Sequence, residues 1–117
     1  MRTQRKKELE AAGWKVGSAA EFLGLDAAEQ AMVELRLGLG KSLREKRAQS
    51  GLTQTQLARR IGSSQSRVAK MEAADASVSL DLMIRALLAL QAKPAEITRA
   101  IERAGRQAER AARAISG

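Results

Sequence analysis

Four polar side chains fall within a stretch of six residues and could read the edges of DNA bases. They are Gln65, Ser66, Arg67 and Lys70. Glutamine can donate and accept hydrogen bonds together, which suits adenine, whereas arginine and lysine suit the O6 and N7 acceptors of guanine. We therefore predict that these four side chains contact bases in the major groove.

Two short helices joined by a tight turn are predicted to position these side chains. Thr53 and Gln56 have the spacing of a capping box, which predicts a helix over 54–61. Residues 62–64 form the turn, and Ser64 is the expected N-cap of a second helix over 65–73. A helix this short and polar is not stable alone, so it must be docked on the rest of the domain.

The positive charge of the chain is concentrated around this unit. The formal net charge is +8, and residues 41–70 carry eight basic groups and one acidic group. A focused basic segment favours a polyanionic partner, with nucleic acid ahead of an anionic membrane. A solubilising surface would explain the charge alone equally well.

A further group of residues is predicted to contact DNA phosphates. Gln54 opens the first short helix, where free backbone N–H groups favour an anion. Ser64 supplies the N-cap hydroxyl of the second helix, and Arg44 and Arg59 belong to the same basic segment.

The residue types that most catalytic and metal sites require are absent. The chain has no cysteine and no histidine, which excludes disulfides, thiolate zinc sites and Cys or His nucleophiles. Glu21, Asp26, Glu29 and Glu34 have the positions of caps and helix-surface charges. We predict no enzyme, no cofactor and no metal. We also expect a cytoplasmic protein, because no apolar run approaches the ~18 residues of a membrane span and no secretory signal is recognisable.

The N-terminal third is predicted to contain separate helical segments. A basic arm over 1–12 precedes an apolar cluster that contains Trp14 and Val16. Ser18 and Glu21 match a capping box, which predicts a short helix over 19–23 that ends at Gly24.

A longer helical run is predicted to follow, over 27–50, with Asp26 and Glu29 as its capping box. Gly38 and Gly40 each weaken a helix by about 1 kcal/mol relative to alanine. The run is therefore either one continuous helix, which we favour, or two helices that meet near Gly38.

The C-terminal part completes an all-α fold. Ser79 caps a nearly all-apolar helix over 80–90, and Pro94 starts a last helix rich in alanine and arginine. We divide the chain into a basic arm and N-terminal helical extension (1–36), a helix-turn-helix domain (37–92) and a helical tail (93–117).

The central stretch resembles the Xre and lambda-repressor-like helix-turn-helix family. The residues that carry the resemblance are Arg47, Gly51-Leu52-Thr53-Gln54, Leu57-Ala58, Ile61-Gly62, Ser64-Gln65-Ser66, Val68 and Met71-Glu72. The resemblance implies a five-helix domain in which Gln65, Ser66 and Lys70 read bases and Gln54 contacts phosphate. It also implies a structural salt bridge between Arg47 and Glu72, while Arg67 matches a more variable position.

The order of segments along nearly the whole chain is similar to that of HigA-type antitoxins. Such proteins act as homodimers that repress their own operon and neutralise a RelE-like RNase toxin. The resemblance therefore implies three partners: double-stranded operator DNA, expected to be palindromic, a second copy of the chain, and a small toxin protein. The alternative is a stand-alone or phage-type Xre transcriptional regulator with no toxin partner.

Overall fold

The computed structural model describes residues 19–116 of the chain, with the side chains of residues 26–114. This part of the chain contains five α-helices and no strand, which confirms the predicted all-α class. The helices are α1 (Ala19–Gln49), α2 (Gln54–Ile61), α3 (Gln65–Glu72), α4 (Leu80–Ala89) and α5 (Pro94–Ser116). No helix among residues 19–116 is long and apolar enough to cross a membrane.

Local capping fixes where the three central helices begin. Thr53 forms the predicted capping box, in which Gln56 N donates to Thr53 Oγ1 at 3.1 Å and Thr53 N donates to Gln56 Oε1 at 2.9 Å. The hydroxyls of Ser64 and Ser79 accept from the backbone N–H groups of Arg67 and Leu82, each at 3.1 Å. These side chains satisfy donors that a helix start leaves without an intrahelical partner.

The long helix α1 corrects the N-terminal prediction. The predicted end at Gly24 and the predicted new start at Asp26 are both wrong, because α1 runs through both positions without a break. A glycine weakens a helix but does not end it unless the chain turns there, and two acidic residues three apart occur on any helix surface. The boundary drawn between 36 and 37 also falls inside α1. The basic arm, Trp14, Val16 and the expected cap at Ser18 lie outside the described residues.

One apolar core joins the helices. Its fully buried large side chains come from α1, α2, α3 and α4, and they are Leu39, Leu43, Leu57, Val68, Met71 and Met83. From α5, Ile97 and Ala100 complete the same core. Both short helices, α2 and α3, are therefore held by burial of one face.

Two glycines show how α1 is placed between its neighbours. A Cβ atom added at Gly40 would lie 2.8 Å from the carbonyl oxygen of Met71, near the end of α3. A Cβ added at Gly38 would lie 2.7 Å from the Cβ of Ala104 in α5. Two residues correspond to a rotation of about 200° around a helix. The end of α3 and α5 therefore pack on opposite sides of α1.

Replacing Gly40 by alanine should lower stability, although alanine is the better helix former by about 1 kcal/mol. The new methyl group would press on the backbone of α3, which cannot move without disturbing the core. Chemical denaturation should show a lower free energy of unfolding for Gly40→Ala. Gly105→Ala is the matched control, because a Cβ there meets nothing within 4 Å, and it should stabilise the protein. Equal effects of the two substitutions would contradict the close packing of α3 on α1.

Candidate nucleic-acid interface

Helix α3 has one buried side and one polar, exposed side. Val68 and Met71 are fully buried in the core. The four residues predicted to read bases are all exposed, and they are Gln65, Ser66, Arg67 and Lys70. The structure thus brings these side chains together on the outer surface of a single helix of eight residues.

A shallow concavity lies along this outer surface. It is lined by Ser64, Ser66, Arg67, Lys70, Ser77 and Val78. The last two residues come from the loop between α3 and α4, and sequence reasoning missed them. The signal was present, since Asp75 followed two residues later by a backbone N–H donor is typical of an Asx turn.

The side chain of Asp75 shapes this loop by hydrogen bonding to Ser77. Its Oδ1 accepts from the backbone N–H of Ser77 at 2.8 Å. Hydrogen bonds from Ser77 and the nearby charge of Lys70 lower the pKa of the Asp75 carboxyl, so it stays ionised at neutral pH. Lys70 therefore lies near the negative charge of Asp75 on the side of the loop, and its other side is exposed to solvent.

An ion pair ties the end of α3 to α1. Arg47 donates from Nε and Nη2 to both oxygens of Glu72, with an Nη2 to Oε1 distance of 2.9 Å. A third hydrogen bond runs from Arg47 Nη1 to the carbonyl oxygen of Leu52 at 2.9 Å. The side chain of Glu72 is only 5% exposed, so the pair is largely screened from water.

A pair of glutamines extends this network to the exposed tip of α3. Gln54 Nε2 donates to Glu72 Oε1 at 3.1 Å, and Gln65 Nε2 donates to Gln54 Oε1 at 2.7 Å. The amide of Gln65 keeps its carbonyl oxygen and one N–H for another partner. One acceptor and one donor are what the N6 and N7 edge of adenine requires.

The network changes what Gln54 can do. Its side-chain amide binds Glu72 and Gln65, so a phosphate contact from Gln54 can come only from the second hydrogen of Nε2 or from its backbone N–H. The first N–H groups of a helix have no intrahelical partner, so the backbone N–H of Gln54 is available to an anion.

The charged state of Glu72 follows from competing effects. Burial alone would raise its pKa, but hydrogen bonds from Arg47 and Gln54, with the charges of Arg47 and Arg44, lower the pKa below its ordinary value. The hydrogen bond to Glu72 in turn raises the pKa of Arg47. Both groups are therefore ionised over the physiological range.

The remaining residues assigned to phosphate contacts occupy different places. Ser64 lies at the start of α3, where its oxygen accepts from Arg67 N and its hydroxyl hydrogen is left to donate. Arg44 is exposed on α1, close enough to Glu72 to influence its pKa. Arg59 is exposed in the last turn of α2, outside the glutamine network and the concavity. Among the side chains that the structure describes, those of residues 26–114, no cluster of three acidic groups could hold a metal ion.

Comparison with known families agrees with this geometry. Residues 43–97 match a family described as Helix-turn-helix, a span that runs from the last part of α1 to the first turn of α5. The match supports the resemblance to the Xre and lambda-repressor-like proteins and does not extend to the HigA-type antitoxins. Neither curated proteins nor solved structures gave a match.

Removing the guanidinium of Arg47 should destabilise the domain strongly. Arg47→Ala leaves a buried carboxylate without its main partner, and such losses cost about 3 kcal/mol. Denaturant unfolding at neutral pH measures the change. Arg85→Ala is the matched control, because the Arg85–Asp81 pair is about three-quarters exposed on both sides and should contribute less than about 1 kcal/mol.

Acidification should reduce the difference in unfolding free energy between the wild type and Arg47→Ala. Because the folded-state pKa of Glu72 is depressed, the contribution of its carboxylate is present above the unfolded pKa of ~4.3 and is lost as pH falls through the folded value. A difference in unfolding free energy that stayed constant down to pH 2 would show that the ion pair is not its source.

Proposed function

We propose that this chain, whose residues 43–97 form a helix-turn-helix domain, is a sequence-specific DNA-binding transcriptional repressor. The observation that carries the proposal is the outer surface of α3. One helix of eight residues presents four polar side chains to solvent, while its other side is locked in the core. A helix docked in this way can enter the major groove without losing its own packing.

Each exposed side chain on α3 has a defined task in the proposed complex. Gln65 pairs with adenine through the carbonyl oxygen and N–H that its bond to Gln54 leaves open. Arg67 and Lys70 donate to guanine O6 and N7, and Ser66 can face either base type. Ser64 and the first backbone N–H groups of α2 hold the phosphates on either side.

A homodimer on a palindromic operator is part of the proposal. Two copies of α3 would read half-sites about one helical turn, ~34 Å, apart. Two candidate surfaces for pairing are α4, which exposes Leu88, and the alanine-rich side of the distal part of α5. Repression then follows when the bound dimer covers the promoter.

Single alanine substitutions on α3 should separate sequence reading from general DNA binding. An operator is first selected from a pool of random duplexes with the wild-type protein. Gln65→Ala and Lys70→Ala should each weaken operator binding by about 1–3 kcal/mol per lost base contact, with a smaller loss on random DNA. Titration of both duplexes at one fixed salt concentration gives the two affinities.

Gln49→Ala is the control for these variants, because Gln49 is an exposed glutamine at the end of α1 and should leave both affinities unchanged. Equal losses on operator and random DNA would contradict the assignment of Gln65 and Lys70 to base reading.

The finer proposal is that the chain is a HigA-like antitoxin that also neutralises a RelE-like RNase toxin. Its support is an exposed apolar surface in the middle of α1. Met32, Val33 and Leu37 are 37%, 48% and 50% exposed, and the last two are four residues apart on one side of the helix. This part of α1 precedes the segment that matches the helix-turn-helix family, so reading DNA does not explain it.

Co-expression with the small open reading frame beside the gene tests the antitoxin proposal. We expect a stable complex and relief of the growth arrest that the neighbouring product causes alone. Val33→Ser/Leu37→Ser should abolish both effects and keep operator binding, since these residues lie outside α3. Ile101→Ser, at an apolar residue on α5 that is 36% exposed, should retain both effects. A neighbouring gene with no toxic product would favour the alternative, a stand-alone Xre regulator.

A further inference from the structure

Helix α5 carries a regular row of arginines. Their spacing alternates between four and three residues, which keeps them on one side of a helix. All five are exposed, and they are Arg99, Arg103, Arg106, Arg110 and Arg113, which we call the arginine row. The opposite side of the helix is buried through Ile97, Ala100 and Ala104.

The arginine row is only partly neutralised by its surroundings. Glu102 and Glu109 lie on the same helix, and Glu45 of α1 lines the same groove as Arg103. Glu96 forms an ion pair with Lys46 at 3.1 Å and also lies close enough to Arg99 for its charge to lower the pKa of Glu96. Arg110 gives one N–H to Gln107 Oε1 at 3.2 Å, which leaves four of its five donors. The row therefore keeps a net positive charge along its length.

The position of α5 separates the arginine row from the surface that reads DNA. The contacts of Gly38 and Gly40 place α5 and the end of α3 on opposite sides of α1. Most of the row lies on the side of α5 away from its buried residues, and Arg103 borders the grooves between α5 and α1. A duplex held in its major groove by α3 does not face the arginine row.

We propose that the arginine row binds the phosphate backbone of a second DNA duplex, so that the protein bridges two DNA segments. This inference rests on the proposed function, which supplies the first duplex. From Arg99 to Arg113 the row is about 21 Å long, at 1.5 Å per residue. Successive phosphates of a DNA strand advance ~3.4 Å along the axis, so the row is long enough to contact several phosphates. Arginine also forms bidentate hydrogen bonds with phosphate oxygens.

A capture experiment tests the bridge. An immobilised duplex that carries the selected operator is loaded with protein, and retention of a labelled duplex of random sequence is measured. Arg106→Gln/Arg110→Gln should lower retention at least tenfold and change operator affinity less than twofold. The slope of log retention against log salt should fall by about 1.8, because two phosphate contacts are lost. Glutamine is close to arginine in helix propensity, so α5 is preserved, which circular dichroism verifies.

Two further variants sharpen the experiment. Arg106→Lys/Arg110→Lys keeps the charge and should retain at least half of the capture. Arg85→Gln/Lys93→Gln removes the same number of exposed charges outside the row and should leave capture unchanged.

Three results would overturn the bridge. The first is unchanged capture by Arg106→Gln/Arg110→Gln. The second is an equal loss of operator affinity and capture, which would place the row on the same duplex as α3. The third is displacement of the labelled duplex by polyglutamate at a lower charge concentration than by competitor DNA, which would identify an acidic protein as the partner. A wild-type protein that selects no operator, yet binds random duplexes with an affinity that Arg106→Gln/Arg110→Gln lowers, would instead overturn the proposed repressor function and leave the row intact.

Discussion

The buried ion pair between Arg47 and Glu72 is the contact on which the reading surface depends. Arg47 joins α1 to the last residue of α3 and to the carbonyl of Leu52 before α2. Gln54 then binds the same carboxylate from the first residue of α2. A buried charge is tolerated only when it is paired and hydrogen-bonded. The carboxylate of Glu72 meets this condition only while Arg47 and Gln54 keep their present positions. Helices of eight residues have little stability of their own, and this arrangement fixes how α2 and α3 meet.

The same network connects packing to recognition. Gln65 lies at the exposed tip of α3, yet its orientation is set by Gln54, whose other end is held by the buried carboxylate. Because the amide is oriented before DNA arrives, less side-chain freedom is lost on binding. If Gln65 reads a base as proposed, its specificity is supported from inside the domain through the side chain of Gln54.

The sequence predicted the central helices well because their signals are local. Thr53, Ser64 and Ser79 are caps that act within three residues, and α2, α3 and α4 begin where they indicate. The signals around Gly24 and Asp26 are just as local, but they fit both a helix boundary and a continuous helix. The structure shows the continuous helix. The side-chain role of Gln54 depends on residues 18 and 11 positions away, so spacing could not show it. The separation of α5 from α3 depends likewise on which side of α1 each helix contacts.

The unbroken course of α1 has a mechanical consequence. Its 31 residues make a helix about 46 Å long, and it runs without a break from the exposed apolar side chains at its middle to Arg47 near its C-terminal end. Anything bound near Val33 and Leu37 is held at a fixed distance and bearing from the tip of α3. A bulky partner bound there would therefore act on DNA binding through its size and its orientation relative to α1. It would not need to change the conformation of α3.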